Sequence, residues 1–236
     1  MKLKIMTFNI QHCLNYIERR IDFPLFAKTI AESGADIVGL NEVRGKGLHP
    51  LYEEQTKILA EGAGYKYYYF AKAIDFDGVN PYGNAVLSKY PIIKAETVGI
   101  PDPAVRAYDG YYETRCIAKL TVDIEGEPLT VLAAHFGLNR DEHENARDTI
   151  IKNLEKKRCV LMGDFNVQPQ SDILDPIRER MKDTSDGCGD MFTFPSDKPD
   201  RKIDYIFVSK DTEVLSAEIP ALTVSDHRPH TAEIEL

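Results

Sequence analysis

The stretch Cys159-Val-Leu-Met-Gly-Asp-Phe-Asn166 sets a short apolar run against a glycine, a carboxylate and a carboxamide. Four apolar residues closed by Gly163 read as a buried strand, which delivers Asp164 and Asn166 to one rim of a sheet. The same design recurs along the chain. Asn9 ends the first apolar run, Glu42 the second, His135 follows Leu129 to Ala134, and Asp226 with His227 precede the last expected strand. Oxygen donors and imidazoles at successive strand ends suit a hard cation such as Mg²⁺ or Mn²⁺, which takes carboxylates and substrate phosphate oxygens.

Leu3 to Ile10 and 36–40 read as strands. Pro24 to Ser33 reads as a helix, with Phe26 and Ile30 on one face, Asp22 as its cap and Gly34 as its stop. A second helix is expected over 51–60, ending at Gly62 and Gly64. From Tyr65 to Ile124 the β-rich runs 65–73, 84–88, 92–100 and 115–124 are separated by Pro, Gly and Asp clusters, which indicates an antiparallel or mixed sheet. A helix returns over 141–157, where Asp141 and Glu144 suggest a capping box and Ala146, Ile150 and Leu154 share a face. A short helix over 172–181 and strands over 203–208, 214–219 and 230–235 complete the pattern. Helices covering two sheets follow, within one domain, since nothing in residues 1–236 marks a repeat or linker.

Composition bounds the function. The 236 residues are 43% hydrophobic and 28% charged, with a net charge of -9 and no Lys/Arg-rich block. Strong nonspecific duplex binding is therefore disfavoured. No apolar run approaches the ~20 residues needed to span a bilayer, and the N-terminus reads as a strand, so a cytoplasmic address is expected. Cys13, Cys116, Cys159 and Cys188 are widely spaced without a CxxC pair, which argues against zinc and a disulfide framework. No protein partner is indicated.

Each candidate has a structural alternative. Glu42 after a strand is commonly a solvated turn residue, Asn9 a turn cap, and Asp-x-Asn an Asx-turn. In an extended segment, however, Asp164 and Asn166 would face the same side, one to activate water and the other to hold a phosphate oxygen. His227 needs a partner to fix its tautomer, and Asp204, inside the apolar run 203–208, needs a partner to satisfy its charge. His135 could be a core histidine or a donor to a phosphoryl oxygen.

In order along the chain, Thr7-Phe-Asn-Ile, Asp36-Ile-Val-Gly-Leu-Asn-Glu-Val, Tyr82-Gly-Asn-Ala-Val-Leu-Ser-Lys-Tyr-Pro-Ile, Ala134-His-Phe-Gly-Leu, Gly163-Asp-Phe-Asn, Arg201-Lys-Ile-Asp-Tyr-Ile-Phe-Val-Ser and Ser225-Asp-His-Arg-Pro resemble the endonuclease/exonuclease/phosphatase superfamily of deoxyribonuclease I-like phosphoesterases. The resemblance implies an α/β (α+β) four-layer sandwich, two facing mixed sheets flanked by helices. It implies Asn9, Glu42 and Asp226 near the metal, Mg²⁺ or Mn²⁺. It places Asp164 and Asn166 at the water-activating and phosphate-orienting positions, His227 with Asp204 as the catalytic pair, and His135 at the phosphate. Arg115 falls where relatives often carry a phosphate-proximal arginine, and Gln11 where some carry an acid.

The expected activity is hydrolysis of a phosphoester, a diester in preference to a monoester, by activated water. Asp164 and the His227–Asp204 pair are alternative bases. The segment 101–114, with Arg106, Tyr108, Tyr111 and Tyr112, is the expected specificity loop; its aromatics could stack on a base or pack on another apolar group, so the phosphoester partner stays open between a small molecule, a lipid headgroup and a nucleic acid. The rivals are a sphingomyelinase-type lipid or sugar-phosphate hydrolase, a nuclease, and a non-catalytic binding relative.

Overall fold

Strand pairing follows the apolar runs closely in the computed structural model, which describes residues 1–236. The first four strands, β1 (Lys2–Asn9), β2 (Ile37–Arg44), β3 (Tyr67–Phe76) and β4 (Asn80–Ser88), begin one six-stranded sheet. The next six form a second: β5 (Ile92–Gly99), β6 (Cys116–Ile124), β7 (Glu127–His135), β8 (Cys159–Asp164), β9 (Met181–Asp183) and β10 (Asp204–Ser209). The chain then returns to the first sheet with β11 (Glu213–Glu218) and β12 (His230–Glu235). Spatial orders are β11-β12-β1-β2-β4-β3 and β5-β6-β7-β8-β10-β9. Each sheet holds one parallel pair, β1 with β2 and β7 with β8, in its middle. Parallel strands are usually covered on both faces, and these are.

The period of two sorts side chains between layers. Ile5, Ile37 and Val86 of the first sheet meet Leu120, Val131, Val160, Met162 and Ile206 of the second in one buried cluster. Their outward neighbours Met6, Phe8, Val38 and Leu40 pack under Phe26 and Ile30 of α1 (Phe23–Ser33) and Leu59 of α2 (Gln55–Ala63). On the other side, Leu132, Leu161, Phe165 and Phe207 pack against Ala146 and Ile150 of α3 (Arg140–Asn153) and Ile177 of α4 (Asp175–Arg178). The result is the expected four-layer sandwich. Each fully buried Leu, Ile or Phe contributes about 1.5–3 kcal/mol. No helix is long and apolar enough to cross a membrane, and all four cysteines are free, Cys188 alone being exposed.

Local differences from the sequence reading have local causes. The expected helix over 51–60 is shifted to Gln55–Ala63, because the buried Gln55 amide ties the helix start to Arg44 N and His12 O at 2.9 Å. Gly62 lies within it, where a Cβ would come 2.9 Å from that of Ala27 on α1. α3 is capped two residues earlier, by Asn139 and Glu142 instead of Asp141 and Glu144. The segment 172–181 is no single helix: it breaks into a 3-10 turn at Asp172–Leu174, α4, and the edge strand β9. Asp164 and Asn166 are not in one extended segment, because Asn166 adopts φ +51 and its N–H turns back to Asp164 Oδ1 at 2.9 Å.

Candidate active site

Register brings the polar strand ends together. His135 on β7 and Asp204 on β10 both stand opposite Asp164 at the end of β8, so three neighbouring strands present one row. Asn9 on β1 pairs with Asn41 on β2 at the same end of the facing sheet. Gly163 permits the turn into this row. Its φ is +143, and a Cβ there would lie 1.8 Å from Ala134 O, so no side chain is tolerated. Glu42 is aimed by a β-bulge: the β2–β4 register slips between Leu40 and Val43, and Glu42 takes φ +59. A bulge that re-aims one side chain beside a cleft is a common device of functional sites.

Two buried asparagines lock the sheets to each other here. Asn41 Oδ1 accepts from Asp164 N at 2.9 Å, while its Nδ2 donates to Asn84 Oδ1 at 2.9 Å and Ala134 O at 3.0 Å. Asn84 Nδ2 continues to Cys116 O at 2.8 Å. The sequence reading gave neither residue a role. Their signal was an amide within an otherwise apolar strand, which demands buried partners.

Asp164 is the hub. Its Oδ2 accepts from Asn9 Nδ2 at 3.1 Å and lies 3.5 Å from His135 Nε2 and 3.6 Å from His227 Nε2. His227 Nδ1 meets Asp204 Oδ2 at 2.8 Å, and the ring rests against Phe194 with centroids 4.8 Å apart. Asn9 Nδ2 also reaches Glu42 Oε1 at 3.1 Å, and Gln11 Nε2 reaches Asp226 Oδ2 at 3.0 Å. Glu42, Asn9, Gln11, Asp226, Asp164, Asn166, His135, His227 and Asp204 thus converge on one end of the sandwich.

Burial drives the charge states. It pushes Asp164 up to about 7, against the pull of His227, and raises Asp226, with Glu42 adding to that effect and His227 opposing it. Burial alone would lower His227, but Asp204 and then Asp164 outweigh it and hold the imidazole up to about 10. The two neighbouring carboxyl groups thus favour the protonated imidazole. His135 goes the other way: burial, then Arg115 and His227, holds it well below the ordinary histidine range.

The donor set fits a hard divalent cation. Asn9 Nδ2 ties the carboxylates of Glu42 and Asp164 together, Gln11 Nε2 reaches that of Asp226, and Gln11 Oε1 is a buried oxygen with no hydrogen-bond partner. Asp164, Asp204 and His227 also have ligand atoms within 4.8 Å of one another. That trio is less suited to an ion, because the Asp204–His227 bond already occupies two of its ligand atoms. Glu42 and Asp226, with the Asn9 amide, would hold the cation.

The expected substrate residues are more dispersed. Arg115 Nη1 lies 2.6 Å from Glu113 Oε1 and 3.0 Å from His135 Nδ1. Tyr112 donates its hydroxyl to Asp141 at 2.8 Å beneath Arg106, and so tethers the loop to α3. Tyr111 is exposed, its hydroxyl 3.3 Å from Glu113. Tyr108, in contrast, lines a hollow of about 530 Å³ beside Asn166, with Asn139, Gln168, Ser171 and Arg201.

Similar proteins share this frame. The chain is 29% identical to the uncharacterized protein YbhP of Escherichia coli K12, over 99% of this chain and 96% of that one. The structure of an endonuclease/exonuclease/phosphatase from Beutenbergia cavernae matches with a TM-score of 0.80 at 22% identity, covering 100% of this chain and 72% of the other. A mannosyl-6-phosphatase from Bacteroides thetaiotaomicron matches with a TM-score of 0.77 at 19% identity, over 99% and 100% of the two chains. At such identities the structures speak for fold alone. The model of the endonuclease/exonuclease/phosphatase family, however, matches residues 6–227, nearly the whole length, and the chain belongs to that family.

Proposed function

We propose that residues 1–236 form one domain that hydrolyses a phosphoester, a diester in preference to a monoester, with Mg²⁺ or Mn²⁺ held by Glu42, Asn9 and Asp226. The observation that carries this reading is the line Asp204–His227–Asp164, with Nδ1 at 2.8 Å from one carboxylate and Nε2 at 3.6 Å from the other. A bound cation would neutralise phosphoryl charge and steady the leaving oxygen. Asp164, with one oxygen fixed by Asn166 N and the other by Asn9, is oriented to accept the proton of the attacking water. His227, kept protonated by its two carboxylates, donates toward the charge that develops on the phosphoryl group. Asn166 and His135 position the remaining oxygens, which is most of what phosphoryl transfer asks of a protein.

A sugar phosphate is the second reading, favoured by the hollow beside Asn166. Tyr108, Asn139, Gln168 and Ser171 offer it an aromatic wall and polar edges. A panel of small phosphodiesters, hexose phosphates, phosphocholine lipids and plasmid DNA, each assayed with Mg²⁺ and with Mn²⁺, tests both. Turnover of a small diester faster than any monoester supports the first reading, preference for a hexose phosphate supports the second, and no turnover of any member contradicts both.

A further inference from the structure

Arginine carries hydrogen-bond donors and no acceptor. Arg115 Nη1 lies 3.0 Å from His135 Nδ1, so Nδ1 must present its lone pair, and the single proton of the neutral ring sits on Nε2. That nitrogen faces the site, 3.5 Å from Asp164 Oδ2 and 3.4 Å from Asn166 Nδ2. The Asn166 amide is oriented by its 3.1 Å bond to Phe136 O, so Nδ2 is also a donor. Two donors cannot satisfy each other. The Nε2 proton is left facing Asp164 Oδ2 at 3.5 Å, and is free for an acceptor that a substrate brings into the site, such as a phosphoryl oxygen.

The rest of the chain of contacts holds Arg115 to this task. Glu113 Oε1 sits 2.6 Å from the same Nη1, and both side chains are about nine-tenths buried. Glu113 is anchored in turn, since its N–H donates to Glu142 Oε1 at 3.3 Å while Glu142 Oε2 caps α3 through Asn139 N at 3.1 Å. His227 has the opposite arrangement: its Nδ1 meets the acceptor Asp204, so Nδ1 carries a proton. The two histidines beside Asp164 are therefore set in opposite senses by their outer neighbours.

We propose that Glu113 and Arg115 are positioning residues that fix His135 with its proton on Nε2, the nitrogen facing the site, and that Arg115 itself does not touch the substrate. The use of that proton on a phosphoryl oxygen rests on the phosphoesterase reading, whereas the tautomer does not. Two-bond ¹H–¹⁵N spectra of the full chain at neutral pH, with and without Mg²⁺, are expected to show His135 Nδ1 unprotonated in the wild type and in Arg115→Lys. Arg115→Met and Glu113→Gln should let the other tautomer appear. A wild-type His135 carrying its proton on Nδ1 overturns the proposal whether or not the protein turns over any phosphoester. With the best diester, Arg115→Met should lower kcat about ten- to a hundredfold with KM little changed. In a His135→Gln background, whose amide keeps a donor without a tautomer to fix, the same change should cost little. Additive losses, or a loss confined to KM, would assign Arg115 to the substrate and overturn the proposal.

Discussion

Asp204 is fully buried, with Oδ2 on His227 and Oδ1 lacking any hydrogen-bond partner. A buried carboxylate costs several kcal/mol unless a cation faces it, so Asp204 and His227 stand or fall together. Asp204→Ala and His227→Ala should each lower kcat by roughly 10²–10⁴-fold, and the double variant should lose little more than either single one. Losses in log kcat that simply add would separate the two residues and reduce Asp204 to a structural role. Asp164 and Asn166 show why one reading of a motif need not exclude another: the pair forms an Asx-turn, and the same carboxylate keeps Oδ2 for Asn9 and stands between two histidines.

Strands were the most legible elements, because β1, β2 and β8 are apolar runs ending in a polar residue or punctuated by glycine. Helix starts were less legible. The cap of α3 depends on Glu142 turning back to Asn139, and the start of α2 on Gln55 reaching His12, a contact across 43 residues. The β8 end gives the sharpest test at this scale. Gly163→Ala must place a Cβ against Ala134 O in the neighbouring parallel strand, and is expected to cost about 3 kcal/mol or more, read as a lower urea midpoint. An unchanged midpoint would mean that the β7–β8 register is not as described.

At the scale of the whole molecule, the candidate site was legible as a set of strand ends, while its geometry was not. Asn41 and Asn84 reach Ala134 and Cys116 on the other sheet, and Glu113 reaches Arg115 and Glu142 of α3; an amide in an apolar run signals that partners exist without saying which. The net charge of -9 predicts slow nicking of long duplex DNA relative to small diesters, with weak, salt-sensitive binding. Faster plasmid nicking would contradict it. Acid stability follows from His230, which is fully buried and held down to about 4, chiefly by burial. The unfolded chain protonates this histidine near its ordinary 6.5, so stability should fall as pH drops from about 6.5 to about 4, by at most ~3 kcal/mol from this group. Comparing urea midpoints at either end of that window, for wild type and His230→Gln, should show a smaller drop in the variant. An equal drop would assign the acid lability to other groups.

If a cation held at Glu42 drives the proposed hydrolysis, the direct measurement is turnover of a small phosphodiester by chelator-stripped protein as Mg²⁺ or Mn²⁺ is added back, with Glu42→Gln run in parallel. The expected result is no turnover in excess chelator, recovery of the wild type with added metal, and a loss of roughly 10²-fold or more in the variant at the same metal concentration. Full wild-type turnover in chelator, or an unimpaired Glu42→Gln, would contradict it.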